Sequence, residues 1–405
     1  AYDVRRRLLC VHVSAHVWAG SPKYYMWLGF LLTIIAVAAC VYVYQLMYGL
    51  GITGLTRDSS WGFYIAQFTY LVGVAASAVM LVLPAYFHHY VKFKRVIIFG
   101  EFLAIGAVIM CMLFIVVDMG QPHRVLNVIL HPTPGSVLFW DATVLSGYLV
   151  LNAVIGWMTL EAEKVGMAPP KWIKYLVYLS IIWAFSIHTV TAFLYAGLPG
   201  RHFWLTAILA ARFLSSAFCS GPAILLLLIM LLKKVAGFDC GKSVIKTLTL
   251  IITYAMCLNV FFFCLELFTA FYSGIPSHQH PIQYLFGFGH AEGAWIGPWM
   301  WVAATLAIVS VILLVVPNFR ENHNLLPWTL VLLVIATWID KGLGLLIGGF
   351  NPTPFEYFTV YTPTFAEVTI SCGIFAVGAL VVSILWKIAL DVKKEARSFD
   401  LPAGE

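Results

Sequence analysis

The sequence predicts an all-α integral membrane protein of about ten transmembrane helices, with both termini in the cytoplasm. Three observations carry that prediction. The 405 residues are 61% hydrophobic and only 10% charged, with a mean hydropathy of +0.91. Soluble domains carry about 25% charge, so lipid must cover much of this surface. Ten apolar runs reach the roughly 20 residues that a helix needs to cross a bilayer. Lys and Arg gather at alternate ends of those runs.

In chain order the runs are Met26–Tyr48, Phe63–Phe87, Val96–Val117, Val137–Leu160 and Ile173–Ala196. Then follow Trp204–Leu232, Ile245–Tyr272, Ile296–Val316, Leu326–Gly348 and Val368–Leu390. Residues 1–25 read as a cytoplasmic N-terminal segment, 26–390 as the membrane domain and 391–405 as a cytoplasmic tail. Arg5, Arg6 and Arg7 precede a mixed segment with no compact apolar core, so no cleavable signal peptide is expected.

Of the 24 basic residues, nineteen fall on one side. They are Arg5, Arg6, Arg7 and Lys23; Lys92, Lys94 and Arg95; Lys164, Lys171 and Lys174; Lys233, Lys234, Lys242 and Lys246; Arg320; and Lys387, Lys393, Lys394 and Arg397. The opposite loops hold only Arg57, Arg124 and Arg201. Basic residues favour cytoplasmic loops, which sets the orientation and requires an even number of spans. The formal +6 charge is therefore a topology signal and does not indicate nucleic acid.

The opposite loops carry most of the remaining polar groups, among them Asp58, Asp118, His123, His131, His202, His278, His280, His290, Glu292 and Glu356. They are rich in Pro and aromatics, a composition that suits ordered caps that dock a partner or frame a site better than flexible linkers. The eight cysteines (Cys10, Cys40, Cys111, Cys219, Cys240, Cys257, Cys264 and Cys372) form no Cys-x-x-Cys pair. Iron–sulfur and zinc sites need clustered thiolates, so neither is expected in this chain.

Charge inside a span costs at least about 2.5–3.5 kcal/mol and needs a reason. At 1.5 Å per residue, Asp141 lies about 6 Å below the outer end of its span, and Glu266 about 9 Å. His188 and Arg212 lie about 12 Å down, and Asp340 and Lys341 about 10–12 Å. Six groups thus share one layer of the outer leaflet, which reads as the wall of a polar cavity or half of a proton pathway. Glu101 lies near the cytoplasmic end of the third span, where it could snorkel or admit protons. Asp340 and Lys341 are neighbours pointing about 100° apart, so each is expected to pair with another helix. Only His188 of twelve histidines is well inside a span. A membrane cytochrome b needs two histidines per haem, so no haem is expected.

Several segments together resemble the NrfD-like family of polysulfide-reductase-type membrane subunits. They are Ser59–Ala78 with its Trp-Gly opening; Gly100–Arg124, ending Asp-x-Gly-x-Pro-x-Arg; Gly135–Asn152, opening Ser-x-x-x-Trp-Asp; and Ser186–Ala223. The ten-span length and the segment EYFTVYTPTFAE look most like the DsrP (HmeB) type of sulfite-reduction-associated menaquinone complexes. The resemblance implies two four-helix bundles, about 63–196 and 204–348, flanked by the first and last spans. It also implies a quinone site near the extracytoplasmic face, a ferredoxin-like iron–sulfur subunit docked there, and a prokaryotic cell membrane. Carried onto this chain, the quinone-site candidates are Tyr70, Asp118, His123, Arg124 and Asp141. His123 departs from the residue usual before that Arg, and the direction of electron flow does not transfer.

The residues agree with that chemistry. Quinone reduction takes two electrons and two protons, so it needs donors near the carbonyls and groups that exchange protons near neutrality. Asp118, Asp141 and His123 could do so, and Arg124 could polarise a carbonyl or simply pair with Asp118. Proton transfer through the membrane would fall to Glu101, Asp141, His188, Arg212, Glu266, Asp340 and Lys341. Two other readings stand beside the redox subunit. One is a secondary transporter with a polar cavity open to the outer face, with a helix broken at Ser220-Gly221-Pro222. The other is a membrane anchor without chemistry of its own.

Overall fold

A computed structural model describes residues 20–87, 90–288 and 294–396. Arg5, Arg6, Arg7, Cys10, His290, Glu292 and Arg397 lie outside the described residues. Ten helices among the described residues are long and apolar enough to cross a membrane. They are α1 (Pro22–Tyr48), α2 (Phe63–Tyr86), α3 (Lys94–Asp118), α4 (Val137–Val165), α5 (Lys171–Ala196), α6 (Ile208–Ala236) and α7 (Lys242–Ser273), then α9 (Ile296–Val315), α10 (Leu326–Phe350) and α11 (Phe365–Glu395). The shorter α8 (Pro276–Phe286) lies in the loop after α7. Most ends run a few residues past the apolar stretches, because Lys and Glu at the interface do not stop a helix. The exception is the start of α6: Trp204 belongs to the preceding loop, where its indole donates to Leu345 O at 2.9 Å.

Helices α2, α3, α4 and α5 pack as one ring of neighbours, and α6, α7, α9 and α10 as another. The rings meet where α2 crosses α6 and α10, and where α5 meets α6. Helix α1 packs on α11, and α11 packs on α3 and α4, so both flanking helices attach beside the first ring. Lipid tails are as apolar as Leu, so close backbone approach must hold helices together in a membrane. Small residues supply it at the α2–α6 crossing. A Cβ on Gly221 would stand 3.0 Å from Gly73 O and 3.2 Å from Ser77 N. Helix α6 runs unbroken through Pro222, so the broken helix that the transporter reading places at Ser220-Gly221-Pro222 is absent. Burial follows the packing: 88% of the α2 window is enclosed and 11% of the α1 window.

The loops following α1, α3, α5, α7 and α10 gather on what we term the cap face, opposite the end where Lys393 pairs with Glu163 at 2.8 Å. Among the described residues the cap loops are tied to one another by hydrogen bonds, in line with their Pro and aromatic content. Tyr284 of α8 donates to Thr359 O at 3.1 Å, and Trp295 to Tyr361 O at 2.7 Å. Arg201 donates to Phe350 O and Asp58 O, both at 3.1 Å. Glu367, fully buried, ties the cap to the bundle. It accepts from Gly54 N at 2.9 Å and Tyr361 OH at 2.6 Å, and closes a capping box with Thr364 at the start of α11. Tyr361 OH in turn accepts from Phe63 N at 2.6 Å. Burial, and then the Glu367 carboxylate, hold the Tyr361 phenol protonated far above its usual range.

Candidate functional site

Two buried polar regions stand out, one in each ring. In the first, Asp141 of α4 is 1% exposed, accepts from Thr191 Oγ1 of α5 at 2.6 Å, and leaves Oδ2 without a partner among the described residues. Asp118 ends α3, and its buried Oδ1 is also without a partner there. Tyr195 of α5, fully buried, lies within electrostatic reach of both carboxylates, and its hydroxyl meets Thr69 of α2. Trp61 and Trp204 pack against Tyr195 and each other, and Phe350 packs on both Trp rings, with ring centroids 5.0–6.1 Å apart, closing this end of the ring toward the cap. An unpaired buried carboxylate oxygen is expensive to leave dry, so these two atoms point to a proton, a water or a ligand.

Tyr70 does not join them. It faces the second ring, with its hydroxyl 3.5 Å from Val334 O. His123 and Arg124 are exposed on the one-turn 3₁₀ helix Pro122–Arg124. No ion pair joins Arg124 to Asp118, so the loop staple that their spacing suggests is absent. The sequence-based reading missed Tyr195 and Thr191. Both sit in the expected helices, but only the packing of α5 against α2 and α4 reveals that they face the carboxylates.

In the second ring, Arg212 of α6 meets Glu266 of α7 and reaches both Asp340 oxygens at 3.1 Å. Its guanidinium lies 5.3 Å from the centre of the Phe263 ring. Lys341, the neighbour of Asp340, turns away as the 100° rule predicts. It donates to Phe213 O at 3.2 Å, sits over the Phe213 ring, and approaches Gly73 of α2 at the junction of the rings. Both residues belong to a π-helical stretch, Ile339–Gly344, that interrupts α10. Such turns break the regular register and recur at functional sites. His188, fully buried, has no partner at either ring nitrogen among the described residues and lies within electrostatic reach of Lys341.

The six-residue layer does not form one polar cavity. Arg212, Asp340 and Lys341 line a void of about 10 Å³, room for roughly one water. Tight helix packing has filled the rest. The roomier cleft that Asp340 also borders, about 320 Å³, is apolar elsewhere save for Asn259 and Thr337. Glu101 does not snorkel: it is 4% exposed, turned toward Gly156 of α4, with Oε2 unpartnered among the described residues. Among the described residues no three His, Cys, Asp or Glu side chains converge as a metal site.

Comparison with known proteins places the chain in a family. The family profile described as "Polysulphide reductase, NrfD" matches residues 51–354. A Halobacterium salinarum protein, provisionally named as a membrane subunit of dimethyl sulfoxide reductase, is 25% identical, over 88% of this chain and 89% of its own. The Hdr-like menaquinol oxidoreductase integral membrane subunit of Archaeoglobus fulgidus is 24% identical, over 73% of each chain. The menaquinone reductase integral membrane subunit of Nitratidesulfovibrio vulgaris is 23% identical, over 90% of this chain and 91% of its own. The chain is a multi-pass prokaryotic membrane protein and belongs to the NrfD polysulphide-reductase family.

Proposed function

We propose that this chain is the quinone-reactive membrane subunit of a respiratory oxidoreductase, exchanging electrons between a menaquinone-type pool and an iron–sulfur subunit docked on the cap face. Two relatives are named for menaquinol or menaquinone, and the basic end of the bundle would face the cytoplasm. The observation that carries the reading is the pair of acids in the first ring, Asp141 buried and Asp118 half-buried, each with an enclosed oxygen that lacks a partner among the described residues. A bound quinone supplies a carrier of two electrons and two protons. Thr191 fixes Oδ1 of Asp141, leaving Oδ2 to hold or release a proton toward the carrier. Asp118, at the helix end, would exchange that proton with the aqueous cap, where His123 is exposed beside it in sequence and Arg124 supplies a fixed positive charge.

A partner surface is available on the same loop. Leu126, Ile129 and Leu130 are 59%, 74% and 66% exposed at the short helix that follows Arg124. They suit docking of a ferredoxin-like subunit near Asp118. Inward proton movement would use Glu101, His188 and Lys341 near the ring junction, with Arg212, Glu266 and Asp340 as a second group. The DsrP-like assignment rests on the segment EYFTVYTPTFAE, which ends in the Tyr361–Glu367 knot.

The test is Asp141→Asn in the intact complex. A lost general acid–base group predicts a fall in quinone turnover of about 100-fold or more, with the make-up of the complex unchanged. Turnover within twofold of wild type would contradict the assignment and favour the anchor reading.

A further inference from the structure

We propose that the cleft in the second ring is a separate binding site for an isoprenoid quinone, distinct from the Asp118–Asp141 region. It lies between α7 and α9, under the cap helix α8, with α10 as its floor. Its existence has a sequence cause: α9 presents Ala303, Ala304 and Ala307 where larger residues would close the gap against Phe263 and Leu267 of α7. The volume, about 320 Å³, is within the range of small-molecule pockets. Phe271, Phe288 and Trp301, each about half exposed, border the cleft, so an apolar chain can leave between α7 and α9 into lipid.

The deep end identifies the head group. Asn259 lines both the cleft and the small void beside Arg212 and Asp340, is 6% exposed, and no hydrogen bond to its side-chain amide is found among the described residues. An acceptor bound in the cleft would pair with that amide. Asn259 lies fourteen residues before Ser273, about 21 Å below the cap end of α7. Among the described residues no Lys or Arg borders the cleft, and its one charged neighbour is Asp340. An anionic phosphate head is therefore excluded by charge as well as by depth. A neutral, flat head with a carbonyl acceptor, on a long apolar chain, fits both ends. The choice of a quinone among such molecules rests on the proposed function; the cleft and its orphan amide do not.

The experiment uses the purified complex in nanodiscs, labelled with a photoreactive azido-naphthoquinone carrying an isoprenoid tail and mapped by peptide mass spectrometry. Label is expected on α7 within 256–271 and on α9 within 300–308, displaced by excess menaquinone and not by phosphatidylglycerol. Ala304→Trp, which fills the cleft, should abolish this label. Asn259→Leu, which keeps the volume, should weaken displacement by menaquinone about three- to tenfold, the loss of one buried hydrogen bond. Label confined to peptides around Asp118 and Asp141 overturns the second site and leaves the proposed function standing. Displacement by phosphatidylglycerol also overturns it, making the cleft a lipid seat. Absence of label anywhere, with no quinone in the native lipid extract, overturns both.

Discussion

Replacing Arg212 by Met strands two carboxylates inside the membrane. Arg212, Glu266 and Asp340 have side chains only 7%, 12% and 21% exposed, and among the described residues the guanidinium is the one cation bonded to either acid. Its Nη2 reaches both Asp340 oxygens at 3.1 Å while Nη1 meets Glu266, so one planar cation bridges the two acids. Breaking a buried ion pair by removing one partner costs about 3–5 kcal/mol, most of it from the uncompensated charge left behind. The same principle makes a sharper prediction. Arg212→Met combined with Glu266→Gln and Asp340→Asn removes all three charges and should recover most of the loss. The assay is thermal unfolding of the detergent-solubilised protein. Arg212→Met should lower the midpoint by roughly 3–8 °C for a chain of this size, scaled from smaller domains, and the triple variant should return within about 2 °C of wild type. If the single variant is no less stable than the triple, the triad is not a coupled charge cluster and the reasoning fails.

Three further outcomes follow from the packing. Glu367→Ala should release the cap, costing roughly 2–4 kcal/mol through the lost capping box and two charge-assisted hydrogen bonds; limited proteolysis should then cut within 51–62 or 351–364, which wild type resists. Gly221→Ala should cost about 1–3 kcal/mol in thermal unfolding, because its Cβ meets Gly73 and Ser77 backbone rather than a side chain that can move. In the loop between α6 and α7, burial works against ionisation of Asp239. The hydrogen bond from Lys233 at 2.5 Å and the Gly241 amide outweigh that and hold its carboxyl below the usual range. A depressed carboxyl stabilises above its unfolded value of about 3.9 and loses that contribution as pH falls through the folded one. Asp239→Asn should therefore cost up to about 1 kcal/mol at pH 7, given the exposed Lys233 partner, and that cost should shrink as pH falls below about 3.9 and vanish below the depressed folded value.

Span number and span limits were legible because a bilayer imposes one length and one polarity on every helix. The layer of buried charge was legible for the same reason, since each charge inside an apolar run needs an explanation. What sequence spacing could not supply was the partner of each charge. Asp340 and Lys341 are adjacent in the chain, yet one completes the Arg212 cluster and the other faces Phe213 at the ring junction. Asp118 and Arg124 stand six residues apart in a motif that invites a salt bridge, but the 3₁₀ turn at Pro122 leaves Arg124 exposed and apart. Glu367 was missed as a buried acid even though Thr364-Phe365-Ala366-Glu367 spells a capping box. Asn259, one amide in a long apolar run, gave no signal until α9 proved to be alanine-rich opposite it.

The most direct test of the account is the make-up of the native complex purified in mild detergent, with lipids extracted for quinone and the same sample scanned by electron paramagnetic resonance. The account predicts menaquinone-type quinone in near-stoichiometric amount together with iron–sulfur signals from a co-purifying subunit. A chain that purifies with neither, and that moves a solute across proteoliposomes on its own, would contradict it.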